Sequence, residues 1–426
     1  MKDITFSFDD SHADVKPFSA LSEEARRLRD AQKRGYDEER CFLNIAEDDD
    51  LTSAAVKMAK EKRAPCLIVV GVGGSNLGTM AVQEAVKGDA TVFYADAADP
   101  DAMNRLLKKT APFFKRGGAV LNCVTKSGAT AETLANFETI LAAFRVGKAW
   151  KERVVITTDR GSPLWIRAAS EGFSLLEIPK RIAGRYSVLS PAGIFPLAFM
   201  GVDVHALTKG AADAAKNFLS DRSSPPAVSA SVIFRHMKEG KNIHDTFLFS
   251  PDLESVGMWG RQLTAESLGK EFDISGRSVN AGITPTVSLV QDLHSMVQLY
   301  LAGPRDRFTS FVHAEPSSDL IIPPSALPWL AGQSYSRLAY ALYGGTKQAF
   351  RKARRPFMEI LLPDKSERSI GQYLHFKMLE TVYLARLLNV NPFDQPAVES
   401  YKSEARRILA YNMASAFCHS KKGIRK

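Results

Sequence analysis

No CxxC pair, no HxxxH or HExxH spacing and no His/Cys cluster occurs in this sequence of 426 residues, so no local motif has the ligand spacing of a zinc site. No metal is expected from local motifs, which leaves only ligands far apart in sequence. Cysteine is scarce. Cys41, Cys66, Cys123 and Cys418 are scattered, two of them in apolar runs that read as buried strands, and all four are expected to be reduced core residues. Long apolar runs are missing too: those ending at Val70 and spanning Ile194–Phe199 fall well short of the roughly 20 residues a bilayer span requires. The start, Met1-Lys2-Asp3, has early acids and no apolar stretch ending in small residues, so it does not resemble a secretory signal and a cytoplasmic location is expected. The net charge of +9 is not concentrated; acids are interleaved throughout, and only Arg351–Arg355 and the tail from Lys421 are densely basic. No nucleic-acid partner is expected; the surplus reads as a solvated surface that favours small anions, and the tail as exposed and mobile.

What is present is an ordinary globular composition, 45% hydrophobic and 24% charged, with length for about two domains. From Ala64 onward, strand candidates at Cys66–Val70, Thr91–Ala95, Ala119–Val124 and Val154–Thr157 alternate with helical patterns at Leu77–Val86, Asp101–Leu107, Ala131–Phe144 and Pro163–Ala169. Such a βαβα series predicts a parallel sheet with helices on both faces and ligands at the carboxyl ends of its strands. After a mostly helical stretch over Val202–Arg235, strand candidates at Thr246–Phe249, Thr309–Val312 and Phe357–Leu362 alternate with helices at Ser255–Leu268, Ser288–Leu301, Ser334–Ala353 and Gly371–Leu388. The Pro-rich patch Ile322–Pro328 reads as a loop. The expected fold class is α/β, with two αβα sandwich domains of mainly parallel sheets and a helical C-terminal segment. Its divisions are 1–60, helical or irregular; 61–200, the first α/β domain; 201–390, the second; and 391–426, a C-terminal helix and basic tail.

Two strand-to-helix loops suit an anion, the alternatives being a tight turn without a ligand for the first and plain helix capping for the second. The first, Gly71-Val72-Gly73-Gly74-Ser75-Asn76-Leu77-Gly78, follows the strongest strand; its glycines permit close backbone approach, and the helix N-terminus offers free N–H groups. Asn76 stands where a dinucleotide fingerprint requires glycine, and the Gly-Lys-Ser/Thr ending of a P-loop is absent. The second, Thr125-Lys126-Ser127-Gly128-Ala129-Thr130-Ala131-Glu132-Thr133, gathers four hydroxyls at a helix start, more than capping alone requires and suited to a compact phosphate monoester. Further along, Val256, Trp259 and Leu263 form a helical stripe that lands next on Glu266. The carboxylate there is either a general base for a carbon-bound proton or a helix-end glutamate reaching water. Gln262 lies four residues earlier, within reach of the same ligand.

These two loops and the layout resemble the sugar-isomerase (SIS) domain superfamily. Four further segments narrow the resemblance to the phosphoglucose isomerase family: Gly184-Arg185-Tyr186-Ser187, Gln262 through Glu266-Ser267-x-Gly269-Lys270, Asp292-Leu293-His294-Ser295-Met296, and Asn391-Pro392-Phe393-Asp394-Gln395-Pro396 continuing to Lys402. The motifs run in order from about residue 70 to 402. The resemblance implies an aldose–ketose isomerase acting on glucose 6-phosphate and fructose 6-phosphate through a cis-enediolate, with no cofactor. It implies Glu266 as the base, Arg185 as the cation beside the enediolate, and His294 and Lys402 as the ring-opening groups, His294 entering from the second subunit of a homodimer. Gly74, Ser75, Thr125, Lys126, Ser127, Thr130 and Thr133 would hold the phosphate, and Gln262 and Gln395 the sugar. Three positions depart from the family pattern: Ala183 replaces a glycine, and Ala129 and Ala131 stand where threonine is common. A related isomerase that also takes mannose 6-phosphate remains an alternative. So does a non-catalytic sugar-phosphate-binding regulator, although no helix-turn-helix or zinc finger accompanies the motifs and every acid–base position is retained.

Overall fold

The computed structural model describes residues 2–422 apart from positions 89, 146, 148, 222 and 325, with side chains as far as residue 410. The expectation for the Cys418 side chain, and that for the basic tail beyond Lys422, therefore lie outside what is described. Twelve strands are present among the described residues: β1 (Thr5–Ser7), β2 (Cys66–Val70), β3 (Thr91–Ala95), β4 (Ala119–Val124), β5 (Val154–Thr158), β6 (Ser174–Glu177), β7 (Ile243–Leu248), β8 (Lys270–Phe272), β9 (Ser278–Ala281), β10 (Thr284–Leu289), β11 (Arg307–Ala314) and β12 (Phe357–Leu362). One sheet has the order β3-β2-β4-β5-β6 and is parallel throughout. The other, β1-β12-β11-β7-β10, is parallel except at β1. With β8 and β9 forming a separate antiparallel hairpin, the fold class is the α/β one expected, with mainly parallel sheets and a helix at the C-terminal end, Val398–Lys422.

Burial on both faces explains why β2, β4 and β5 read as continuous apolar runs; each is buried along its whole length. Successive side chains point to opposite faces. Leu67, Val69, Val120 and Val155 accordingly join the larger core that runs under the second sheet, while Cys66, Ile68, Leu121 and Ile156 pack in a separate one. Helix Glu367–Leu388, buried over most of its length, lies against helices Val204–Ser220 and Pro225–Lys238. Gly210 and Gly371 permit that approach, since a Cβ on either would collide with the other helix's backbone.

The structure departs from the sequence reading at its edges. The stretch 1–60 contains helices Ala20–Gln32 and Asp49–Glu61, but it also supplies β1, which closes one edge of the second sheet against β12. The helix expected over Ser288–Leu301 is instead the end of β10, a 3-10 turn at Val290–Leu293 and a short helix Val297–Ala302. Pairing with β7 holds Thr284–Leu289 extended, and its β-branched residues suit a pleated surface.

His375, on the buried helix, is fully enclosed with neither ring nitrogen hydrogen-bonded among the described residues, and burial pushes its pKa down to about 4 from 6.5. The unfolded chain therefore binds the proton first as pH falls, so stability present above pH 6.5 is lost between there and about 4. His375→Leu is expected to flatten the pH dependence of the urea midpoint across that window. An unchanged slope would show that another group carries the acid sensitivity.

Candidate active site

The β2 loop and the Gly184–Tyr186 turn meet backbone to backbone. A Cβ on Gly74 would lie 2.5 Å from the Gly184 carbonyl carbon and 2.6 Å from the Arg185 nitrogen. Gly73, at φ +60°, brings the same loop against Gln262, a left-handed conformation that glycine adopts without steric cost. A Cβ on Gly71 would stand 3.1 Å from the Val124 carbonyl oxygen, which places this loop beside the hydroxyl loop after β4. The β2 loop thus meets the turn that presents Arg185 directly, and the end of β4, which leads into the hydroxyl loop, lies next to the β2 loop.

Arg185 is almost completely buried. Its Nε donates to Ser267 Oγ at 2.8 Å, one terminal nitrogen to Glu266 Oε2 at 3.1 Å and Gln395 Oε1 at 2.8 Å, and the other to the carbonyls of Pro392 at 2.6 Å and Asp394 at 3.0 Å. Glu266 is about one-third exposed, at 32%, and its second oxygen accepts from Gln262 Nε2 at 2.8 Å. Both Gln262 and Glu266 lie near the C-terminal end of helix Glu254–Leu268. This puts a carboxylate, a fixed cation and two amides at one point, with Glu266 and Gln395 opening onto a cavity of about 980 Å³.

In the hydroxyl loop Thr125 Oγ1 and Thr130 Oγ1 are 3.2 Å apart, Ser127 Oγ accepts from the Ala129 N–H at 3.3 Å, and Thr133 is buried. The side chain of Lys126 is turned elsewhere, to Asp159 at 3.0 Å and the Lys180 carbonyl. Burial holds the Asp159 carboxyl above its usual range, with Lys126 pulling the other way. Two sequence candidates stand apart from these groups. His294 is exposed just after the Val290–Leu293 turn, and Lys402 pairs with Glu399 at 2.8 Å on its own helix.

Of the groups around Arg185, Glu266 and Gln395 are sequence candidates, but Ser267, Tyr186, Trp259 and Lys270 carry no role in the sequence reading. Tyr186 shares Ser267 with Arg185, its hydroxyl 3.2 Å from Oγ, and Trp259 Nε1 donates to the Arg185 carbonyl at 3.2 Å. Lys270 donates to the carbonyls of Glu266 and Asp394, both at 2.7 Å. The available signal was a lysine closing the motif that carries Glu266.

One parallel and one mainly parallel sheet, with a glycine-rich and a hydroxyl-rich loop at strand ends of the first and a carboxylate–guanidinium pair joined to it, define an α/β protein of the SIS type. The family model for phosphoglucose isomerase matches residues 48–314. The chain is 33% identical over 401 residues to a glucose-6-phosphate isomerase of Thermus thermophilus, covering 92% of this chain and 95% of that one. It is 32% identical over 380 residues to the Carboxydothermus hydrogenoformans glucose-6-phosphate isomerase, covering 83% and 81%. A crystal structure of a Thermus thermophilus protein described as hypothetical superposes with a TM-score of 0.85 at 32% identity, over 92% of this chain and 95% of that one. The Chlamydia trachomatis glucose-6-phosphate isomerase shares the fold, with a TM-score of 0.82 at 20% identity over 96% and 89%. This chain belongs to the phosphoglucose isomerase family.

Gly74→Ala is expected to push the Arg185 turn away and cost on the order of 1–3 kcal/mol, as over-packing against backbone does. Gly260→Ala, where an added Cβ meets nothing within 4 Å, serves as the control and is expected to be neutral or slightly stabilising. Equal thermal midpoints for the two variants would show that the close approach at Gly74 is not needed.

Proposed function

We propose that the chain interconverts glucose 6-phosphate and fructose 6-phosphate by proton transfer at Glu266. The observation that carries the reading is the Arg185–Glu266–Gln262 group beside the hydroxyl loop. In this mechanism the phosphate rests on Gly74, Ser75, Thr125, Ser127, Thr130 and Thr133 and on the backbone at Lys126. His294 and Lys402 open the ring. Glu266 then removes the C2 proton of the open aldose, and the electron pair moves into the C1–C2 bond as charge passes to O1. Arg185 stabilises that charge. Returning the proton to C1 and passing the hydroxyl proton from O2 to O1 leaves the ketose. The substrate carbonyl itself acidifies the adjacent C–H, so the chemistry asks of the protein only acid–base and electrostatic help.

Glu266→Gln is expected to lower kcat for fructose 6-phosphate by about three orders of magnitude, the scale of a general base, and activity of the parent is expected to persist in a metal chelator. A folded parent that binds the sugar phosphate without turnover would replace this reading with that of a regulator.

The working unit is a cytoplasmic homodimer in which His294 serves the second subunit's site. Its exposed position supports this, as does an apolar face after β11: Leu320, Ile321, Trp329, Tyr335 and Tyr340 are all more than half exposed. Segments of this face are tied together by the Tyr335 N–H bond to the Leu320 carbonyl and the bridge between Ile321 and Ser334. The double variant Trp329→Asp, Tyr340→Asp is expected to sediment at half the parent mass and to lose most activity. A fully active monomer would rule out sharing of His294.

A further inference from the structure

Lys270 closes the motif that bears Glu266, yet the mechanism assigns it nothing. It begins β8 directly after the helix, and its side chain is only 5% exposed. An ammonium has three donors, and three acceptors surround this one: the Glu266 carbonyl at 2.7 Å, the Asp394 carbonyl at 2.7 Å and Asp394 Oδ1 at 3.3 Å. No donor remains for a substrate. The Asp394 carbonyl is shared, because it also accepts from Arg185 at 3.0 Å.

The sharing matters because of how Arg185 is held. A guanidinium has five N–H donors, and each has a protein acceptor here. Three of them go to the buried Ser267 hydroxyl and to the main-chain carbonyls of Pro392 and Asp394, acceptors that cannot swing aside as a side chain can without moving the loop. The two on the remaining nitrogen go to the side chains of Glu266 and Gln395, which line the cavity. Only that nitrogen can exchange a protein oxygen for a substrate oxygen. Its place relative to Glu266 depends on how the 391–395 loop sits against the end of helix Glu254–Leu268, and Lys270 joins those two elements.

We infer that Lys270 is a positioning residue for the isomerisation: by tying the Glu266 main chain to the carbonyl that also holds Arg185, it fixes the one exchangeable nitrogen of Arg185 against the base. Lys270 touches neither substrate nor reacting atoms. The inference rests on the proposed isomerase reading, and it extends that reading from the groups that react to the group that sets their spacing.

The test compares the parent with Lys270→Met, which keeps the apolar stem and removes the ammonium. The expected result is a fall in kcat of about 100-fold, the scale of a small misplacement of reacting groups, with KM changed by less than about threefold. Two inhibitors separate positioning from general damage. A five-carbon aldonic acid phosphate carries on its carboxylate the charge of the enediolate, and its affinity is expected to fall at least tenfold, following the loss of a charge-matched contact. Glucitol 6-phosphate lacks that charge and is expected to bind as it does to the parent. Equal losses for both inhibitors, or an unchanged kcat, would overturn the inference. If Lys270→Met does not fold, Lys270→Gln, which retains an amide donor, is read by the same criteria; failure of both to fold would assign Lys270 to stability and overturn the inference as well. A parent without isomerase activity would instead overturn the functional reading itself, so the two failures are distinct.

Discussion

A buried guanidinium has to be satisfied by the chain around it, and in this protein that requirement falls on segments far apart in sequence. Removing one partner from a buried charge costs on the order of 3–5 kcal/mol, so the acceptors of Arg185 are not interchangeable decoration. Ser267 and Glu266 lie 82 and 81 residues away, and Pro392, Asp394 and Gln395 lie 207, 209 and 210 residues away. Helix Glu254–Leu268 and the loop before the terminal helix must therefore both arrive before the charge can be enclosed. The glycines at 73 and 74 let the first sheet's loop come close enough to complete the enclosure.

The same constraint explains why the two sheets face the site as they do. Parallel strands leave their carboxyl-end loops together on one edge, where helix N-termini and free N–H groups gather. The first sheet carries its glycine-rich and hydroxyl-rich loops on that edge. The second sheet contributes the helix that follows β7 rather than a strand-end loop, and that helix delivers Gln262 and Glu266, one turn apart on the same face, with Ser267 beside them near its C-terminal end. A carboxylate at a helix C-terminal end gains nothing from the local dipole, so its two neighbours, a guanidinium and an amide, supply what the helix does not.

Much of this was legible from residue order because the signals were local. The strands at Cys66–Val70, Thr91–Ala95, Ala119–Val124 and Phe357–Leu362 are found with the expected bounds; apolar runs between turn residues mark buried parallel strands strongly. Glu266 was visible as a carboxylate on an apolar stripe, and the hydroxyls of Thr125 and Thr130 as a cluster that ordinary capping does not explain. What was not legible depends on distant pairing. β1 is three residues long and carries no pattern of its own; it is a strand because β12 offers an open edge. The end of β10 fell inside the helix expected over Ser288–Leu301, because the residues after it are helical in part, and pairing with β7 holds that end extended. The direction of the Lys126 side chain could not be read either, since Asp159 follows a different strand.

Under the proposed mechanism, the proton-transfer groups and the ring-opening groups are built on different physical terms. Arg185 and Glu266 would act on charge that develops during the reaction, and fixed dipoles are worth most where water is excluded and no reorganisation is needed. A single folded chain supplies that setting, with Arg185 buried and every donor engaged. Ring opening moves a proton between a ring oxygen and a hydroxyl and needs little charge stabilisation by comparison, so its groups can be brought in later. His294 is exposed, and Lys402 sits on a helix whose Tyr401, Ile408 and Leu409 are all more than half exposed. Under the proposed mechanism, a second subunit meeting His294 and a ligand drawing Lys402 from Glu399 would complete the site only when both are present. In that mechanism the proton-transfer half of the chemistry is held ready within one chain, and the half that requires assembly would control when it is used.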